Sequence, residues 1–168
     1  FPVGRRTLSA QFVQRMLFVE PYRDELPAEG VHISHARIAG TLSFAHHAFS
    51  RALALDNTTF DGAVFLQNFA TTGSLSFEHS TFRKQLDMRS LRSGDVVLQN
   101  GSFNGIDLSN ASINGVLELD GSTVTNTLSL NEAKVTNNVT MAGLRKVVTI
   151  RSVDMRGADI GGRLSMRD

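Results

Sequence analysis

The feature that most constrains this chain is a pattern recurring about every 11 residues from Ala36 onward. A small residue is followed two places on by Ile, Val or Phe, then often by Gly or Asn at four, with apolar residues at six and eight. Three copies align without a gap: Ala36/Ile38/Gly40/Leu42/Phe44, Ala111/Ile113/Gly115/Leu117/Leu119 and Ala158/Ile160/Gly162/Leu164/Met166. Ser122/Val124/Asn126/Leu128/Leu130 and Ala133/Val135/Asn137/Val139/Met141 share the frame, as do Thr58/Phe60/Val64/Leu66 and Ser80/Phe82/Leu86/Met88, and His47/Phe49/Leu53/Leu55 follows it more loosely. Leu-x-Leu alternation has the two-residue period of a short strand, and Gly and Asn supply the corners. A strand so short cannot bury its apolar side chains alone, so equivalent strands must stack in parallel around a common interior. The expected fold is all-β, a β-solenoid. Two units make a four-sided coil of about 22 residues, and about six such coils at roughly 4.8 Å per rung give a rod about 30 Å long.

The small-x-large units Ala111-x-Ile113, Ala133-x-Val135, Ala158-x-Ile160, Ser80-x-Phe82 and Gly101-x-Phe103 resemble the pentapeptide-repeat family, in a divergent bacterial branch whose alternate pieces carry six residues. The resemblance spans residues 31–168 and implies a right-handed quadrilateral parallel β-helix preceded by a short helix. It implies no activity. Some members of that family carry a strongly acidic, DNA-mimicking surface that occupies topoisomerases; the sequence pI of about 8.5 speaks against that role here.

Residues 1–30 are expected to form an N-terminal α-helical cap and linker. Over residues 8–19, Leu8, Phe12, Val13, Met16 and Leu17 fall on one helical stripe, Thr7 or Ser9 can cap it, and Pro21 ends it. Such a helix would cover the apolar cross-section and free strand edges of the first coil. No capping segment is visible near Asp168, so the solenoid end is expected to stack on a second copy or to continue in a longer chain. The pattern weakens at Phe69–Gly73, Leu91–Asp95 and Leu144–Met155, where bulges or loops are expected, with Val153-x-Met155 as an extra five-residue piece. The phenylalanines, seven of which lie between Phe44 and Phe82, are read as inward core residues.

Chemistry is sparse. Zero cysteines exclude disulfides, thiolate metal sites and cysteine nucleophiles, and the phosphate-cradling and nucleophile-elbow glycine motifs are missing. His35, His46 and His79 share one repeat phase, but coil spacing separates them by far more than a metal's ligand distance; an exposed corner at His46-His47 is the better reading. Neither metal nor cofactor is expected. The middle residue of Leu-x-Leu points outward, which places Asp87, Asp107 and Glu118 on the surface. Asp87 and Asp107 would be stacked neighbours with Arg89 beside them, a spacing that suits acid–base chemistry on a polysaccharide and makes them the candidate catalytic pair. Against this, outward positions are commonly solvated charges, and no aromatic sugar platform is expected beside them. Four Asn-x-Ser/Thr sequons, at Asn57, Asn100, Asn110 and Asn138, follow from repeat composition. Ice binding would need regular Thr ladders, whereas the outward positions are mixed.

Charge divides along the chain: five basic against four acidic residues in 1–40, five against nine in 41–133, seven against three in 134–168. Arg145, Lys146, Arg151, Arg156, Arg163 and Arg167 form a candidate basic patch for an acidic protein or a membrane surface, with nucleic acid disfavoured. The sequence reading is therefore a non-enzymatic scaffold that binds another protein or a second copy, cytoplasmic, or membrane-associated within a longer chain. The alternatives are a carbohydrate-active β-helix enzyme and a topoisomerase modulator.

Overall fold

A computed structural model describes residues 6–143 and 148–166. The chain winds as a parallel β-solenoid of about six turns with one helix near the N-terminus. It opens with strand β1 (Arg6–Ser9) and helix α1 (Ala10–Phe18); β2 (Gly30–Ser34), β3 (Ala36–Ala39), β4 (Leu42–Ser43) and β5 (Ala48–Phe49) then make the first circuit. Every later turn repeats that order, so each of the four strands founds a wall: wall D on β2, A on β3, B on β4 and C on β5. Every strand pairing among the described residues is parallel, and only that of Thr123–Ser129 with Thr149–Asp154 shifts register along its length. Wall A stacks Ile38, Phe60, Phe82, Phe103 and Val124. Wall B stacks Leu42, Val64, Leu86, Ile106 and Leu128. Register partners are 22 residues apart for Val64 and Leu86, 20 for Leu86 and Ile106, and 25 for Val139 and Leu164.

The coil closes because its two principal corners place one residue each in the left-handed region. One column of such corners runs His35, Asn57, His79, Asn100 and Gly121; the other runs His46, Asn68, Ser90, Asn110, Glu132 and Gly157. Gly, Asn and His tolerate positive φ better than branched or bulky residues, so backbone geometry selects these side chains. Just inside the first column lie Ala36, Thr58, Ser80, Gly101 and Ser122, all buried. Two of the hydroxyls clamp successive coils together. Ser80 Oγ accepts from Thr58 N–H at 3.0 Å and donates to Leu55 C=O at 2.9 Å. Ser122 repeats this with Gly101 N–H at 3.1 Å and Leu98 C=O at 2.6 Å.

The interior is one continuous apolar cluster running from Val13 and Leu17 of the helix to Met141, with Ile150, Val153 and Ile160 packed against it. Phe60, Phe82 and Phe103 stack along wall A with ring centroids 4.3 and 5.1 Å apart. Phe44, Phe49, Phe69 and Phe77 are also buried, as expected of inward positions.

Three expectations are corrected. The irregularities at Phe69–Gly73 and Leu91–Asp95 are regular wall C rungs, not bulges. There the large residue comes first and the small polar one second (Phe69/Thr71, Leu91/Ser93), the reverse of Ala111/Ile113 and Ala133/Val135, and all eight side chains are buried. The summed volume is kept while the order of sizes is exchanged, and that hides the repeat from a pattern search. Val153-x-Met155 is the ordinary wall B piece of the last turn, since Val153 pairs with Leu128. Of the segment 144–155, residues 144–147 lie outside the described residues; beyond them strand Thr149–Asp154 pairs with Thr123–Ser129 through a register shift between Val124 and Thr127.

The cap is a helix and more. Leu8 belongs to β1, which pairs in parallel with β3 and adds a rung to wall A. Ser9 is the N-cap, its Oγ accepting from Phe12 N–H at 3.1 Å. Ala10, Val13 and Leu17 are buried, whereas Phe12, placed on the apolar stripe by its spacing, is 54% exposed. The packed face is set by Ala10, Val13 and Leu17, and Phe12 lies one residue, about 100°, away from Val13. Gln14 Nε2 donates to Ser43 C=O at 2.7 Å, tying α1 to wall B, and Phe18 packs edge-on against Phe44, Phe49 and Phe69. Over the segment after the helix, Arg51 Nη1 donates to Leu26 C=O at 2.8 Å.

Candidate functional site

Wall B carries the carboxylates. Because alternation sends Leu86 and Ile106 inward, Asp87 and Asp107 project outward on successive rungs, in register with each other. Phe65 stands one rung before Asp87 in the same column. The expectation of no aromatic beside the pair is thus corrected, though Phe65 is itself half-buried.

Asp87 is not a solvated charge: its residue is only 7% exposed. Arg89 grips it through two side-chain bonds, Nε to Oδ1 at 3.0 Å and Nη2 to Oδ2 at 2.8 Å, and the Arg89 N–H adds a third to Oδ1 at 3.2 Å. Gln67 Nε2 donates to Oδ2 at 2.7 Å from the preceding rung. Asp107 accepts from Ser109 N–H at 3.0 Å and Ser109 Oγ at 2.6 Å, and the Ser109 and Ser129 hydroxyls are 2.9 Å apart. Arg89 Nε lies 3.9 Å from Asp107 Oδ2, so one guanidinium spans both carboxylates. That attraction holds the Arg89 pKa above its ordinary value, Asp87 contributing most. Asp154, Met155 and Arg156 repeat the same Asp-x-Arg clasp further along wall B, with Arg156 Nη2 at 2.7 Å from Asp154 Oδ2, and the clasp holds the Asp154 carboxyl below its usual range. Sequence reasoning found Asp87, Asp107 and Arg89 but missed Gln67, Ser109 and Ser129. Gln67 and Ser109 stand two places after the outward residue of their wall B pieces and Ser129 is the outward residue of its own, in register with Asp107, a signal visible once the pieces are sorted by wall.

Glu118 sits on wall D instead. It accepts from Gln99 Nε2 at 3.0 Å, and burial, then Asp120, Asp95 and Glu78, push its pKa up.

The described residues of the candidate basic patch, Arg151, Arg156 and Arg163, do not share one face. Arg151 leaves wall A, Arg156 ends the wall B piece and Arg163 precedes wall D, so they ring the last turn. Arg145, Lys146 and Arg167 lie outside the described residues. His35, His46 and His79 are left-handed corner residues, in two separate columns. Among the described residues no group of His, Asp and Glu could hold a metal ion. Asn57, Asn100 and Asn110 of the sequons occupy the same kind of corner, which accounts for Asn there without glycosylation.

Depressions of about 260 and 470 Å³ lie elsewhere, lined by Arg23, Asp24, Phe49 and Arg51 and by Asn110, Glu132, Lys134 and Gly157; neither Asp87 nor Asp107 lines them. No helix among the described residues is long and apolar enough to cross a membrane. No protein-family model matches the chain, and no curated protein or solved structure matches it either.

Proposed function

We propose that the chain is a non-enzymatic, rigid β-helical scaffold whose flat walls bind other macromolecules, built on the pentapeptide-repeat plan and acting in the cytoplasm of a bacterium or beside its membrane as part of a longer chain. One observation carries the reading: the side chains best placed for chemistry, Asp87 and Asp107, spend their hydrogen-bonding capacity on Arg89, Gln67 and Ser109 of the same wall. Carboxylate oxygens already engaged by donors of their own wall have fewer lone pairs left to contact a substrate. What remains is ordered surface, with outward side chains fixed at about 4.8 Å intervals along four walls.

The test is affinity capture from source-cell lysate with the wild-type chain and with charge-reversed wall variants, alongside turnover assays on a polysaccharide panel. A partner lost on reversing the charges of one wall supports the scaffold. Glycan cleavage that disappears in both Asp87→Asn and Asp107→Asn overturns it in favour of a carbohydrate-active enzyme.

A further inference from the structure

Three Asn-Gly dipeptides stand on the solenoid: Asn100-Gly101, Asn104-Gly105 and Asn114-Gly115. In such a dipeptide the glycine nitrogen can attack the asparagine side-chain carbonyl, because glycine has no Cβ to hinder the approach. All three asparagines are exposed and all three glycines are covered, so access to solvent does not separate them. What separates them is what holds the glycine N–H and what surrounds it. Gly101 N–H donates to Ser122 Oγ at 3.1 Å, a bond that must be given up before the nitrogen can act. Beside Gly115, Asp95 Oδ1 fills the space a Cβ would need and accepts from Val116 N–H at 2.9 Å. A carboxylate there disfavours the amide anion that attack requires. Gly105 has neither restraint. Its N–H has no partner among the described residues, and a Cβ there would meet only Thr127 C=O at 3.5 Å and Asn126 Cβ at 3.7 Å. The carbonyl is prepared as well: Asn126 Nδ2 donates to Asn104 Oδ1 at 3.1 Å, the oxygen on which charge develops when Cγ is attacked. Thr136 Oγ1 does the same for Asn114 at 3.3 Å, so the Asp95 carboxylate decides between those two.

We propose that Asn104 is a site of spontaneous deamidation, selected by the fold over two asparagines with the same following residue. The Gly105 nitrogen loses its proton to hydroxide and bonds to Asn104 Cγ. The Cγ–Nδ2 bond breaks, ammonia leaves and a cyclic succinimide remains. Water then opens one of the two carbonyl–nitrogen bonds of the ring. Opening at Cγ gives Asp; opening at the backbone carbonyl gives isoaspartate, which carries an extra methylene in the main chain. The net change is water taken up and ammonia lost. Either product adds a negative charge at the corner between Phe103 of wall A and Ile106 of wall B, and isoaspartate lengthens the coil there.

Peptide mapping by mass spectrometry tests it, after the purified folded chain has been held in mildly alkaline buffer. A gain of about 1 Da is expected first at Asn104, located by fragmentation, with isoaspartate detected in the same peptide. Asn100 and Asn114 convert about tenfold more slowly. In urea, where Ser122 and Asp95 no longer stand beside their glycines, the three convert at similar rates. Gly105→Ala, whose Cβ has room, slows Asn104 about tenfold and leaves Asn114 unchanged, with circular dichroism as the check on folding. Ser122→Ala, which frees Gly101 N–H, raises the rate at Asn100 in the folded chain. Conversion of Asn100 or Asn114 as fast as Asn104 in the folded chain overturns the proposal. So does a folded chain in which Asn104 stays intact while the urea-unfolded chain converts.

Discussion

Wall C offers the sharpest test of how this solenoid is built. On the Leu91/Ser93 rung the large side chain comes first, and on the next rung, Ala111/Ile113, it comes second; all four are buried, and Arg92 pairs with Ser112 in register. Leu91→Ala removes a fully buried side chain, a loss of about 3 kcal/mol. Ser93→Ile forces a larger side chain against an intact Leu91 and costs about 1–3 kcal/mol through overpacking. The Ser93 hydroxyl adds little of its own, since its one hydrogen bond, to Gly94 C=O, is 3.4 Å long. Were the two effects independent, the double variant would lose about 5 kcal/mol. If the rung conserves volume, the double variant instead recreates its neighbour and loses less than about 1.5 kcal/mol. The coupling is therefore about 3 kcal/mol, at the upper end of values for side chains in contact. Urea titrations of the wild type, both single variants and the double variant close the cycle, with equal m-values as the check on comparable unfolding. Additive losses would refute the size-exchange argument.

Three more outcomes follow from the corners and walls. Ser80→Ala strands Thr58 N–H and Leu55 C=O inside the coil and lowers stability by about 1–3 kcal/mol in the same titration, whereas no loss would mean the clamp is ornamental. Glu132 is the acidic exception in a left-handed column shared with Asn68, Asn110 and Gly157, so Glu132→Gly gains about 1 kcal/mol; a destabilised variant would show that its side chain supports the corner. Glu118 carries a raised pKa, so the folded state holds its proton more tightly than the unfolded chain does. Its contribution to stability is present at acid pH and is lost as pH rises through the unfolded and then the folded value. Glu118→Gln should therefore stabilise the fold at neutral pH by about a few tenths of a kcal/mol after screening, read as a slightly higher melting temperature, and leave stability unchanged below the carboxylate range; a stabilisation confined to acid pH would contradict the sign.

The stacking of Asp87 on Asp107 was legible without coordinates, because two repeat units make one coil and so turn sequence separation into rung spacing. The side chains that clasp that pair were not legible. Gln67 and Arg89 converge on Asp87 from two different rungs, and their shared destination depends on both side chains bending along the same wall. The three described residues of the basic patch, Arg151, Arg156 and Arg163, follow one another in sequence yet are dealt to different walls by the corners between them. Leu8 shows a third limit, since a residue on a helical stripe was claimed by a strand edge in need of a partner.

Periodicity alone determined that strands stack, that Leu117, Leu128 and Val139 face inward, and that a helix closes the first turn. Those are matters of local period and of apolar area that must leave water. The tertiary structure alone decided which outward residues meet, because contacts between walls and between rungs depend on corner angles and on where side chains bend, and neither is encoded in a two-residue alternation. It also decided that Phe12 and Tyr22 stay uncovered, since which face of a helix packs is settled by the surface it lands on.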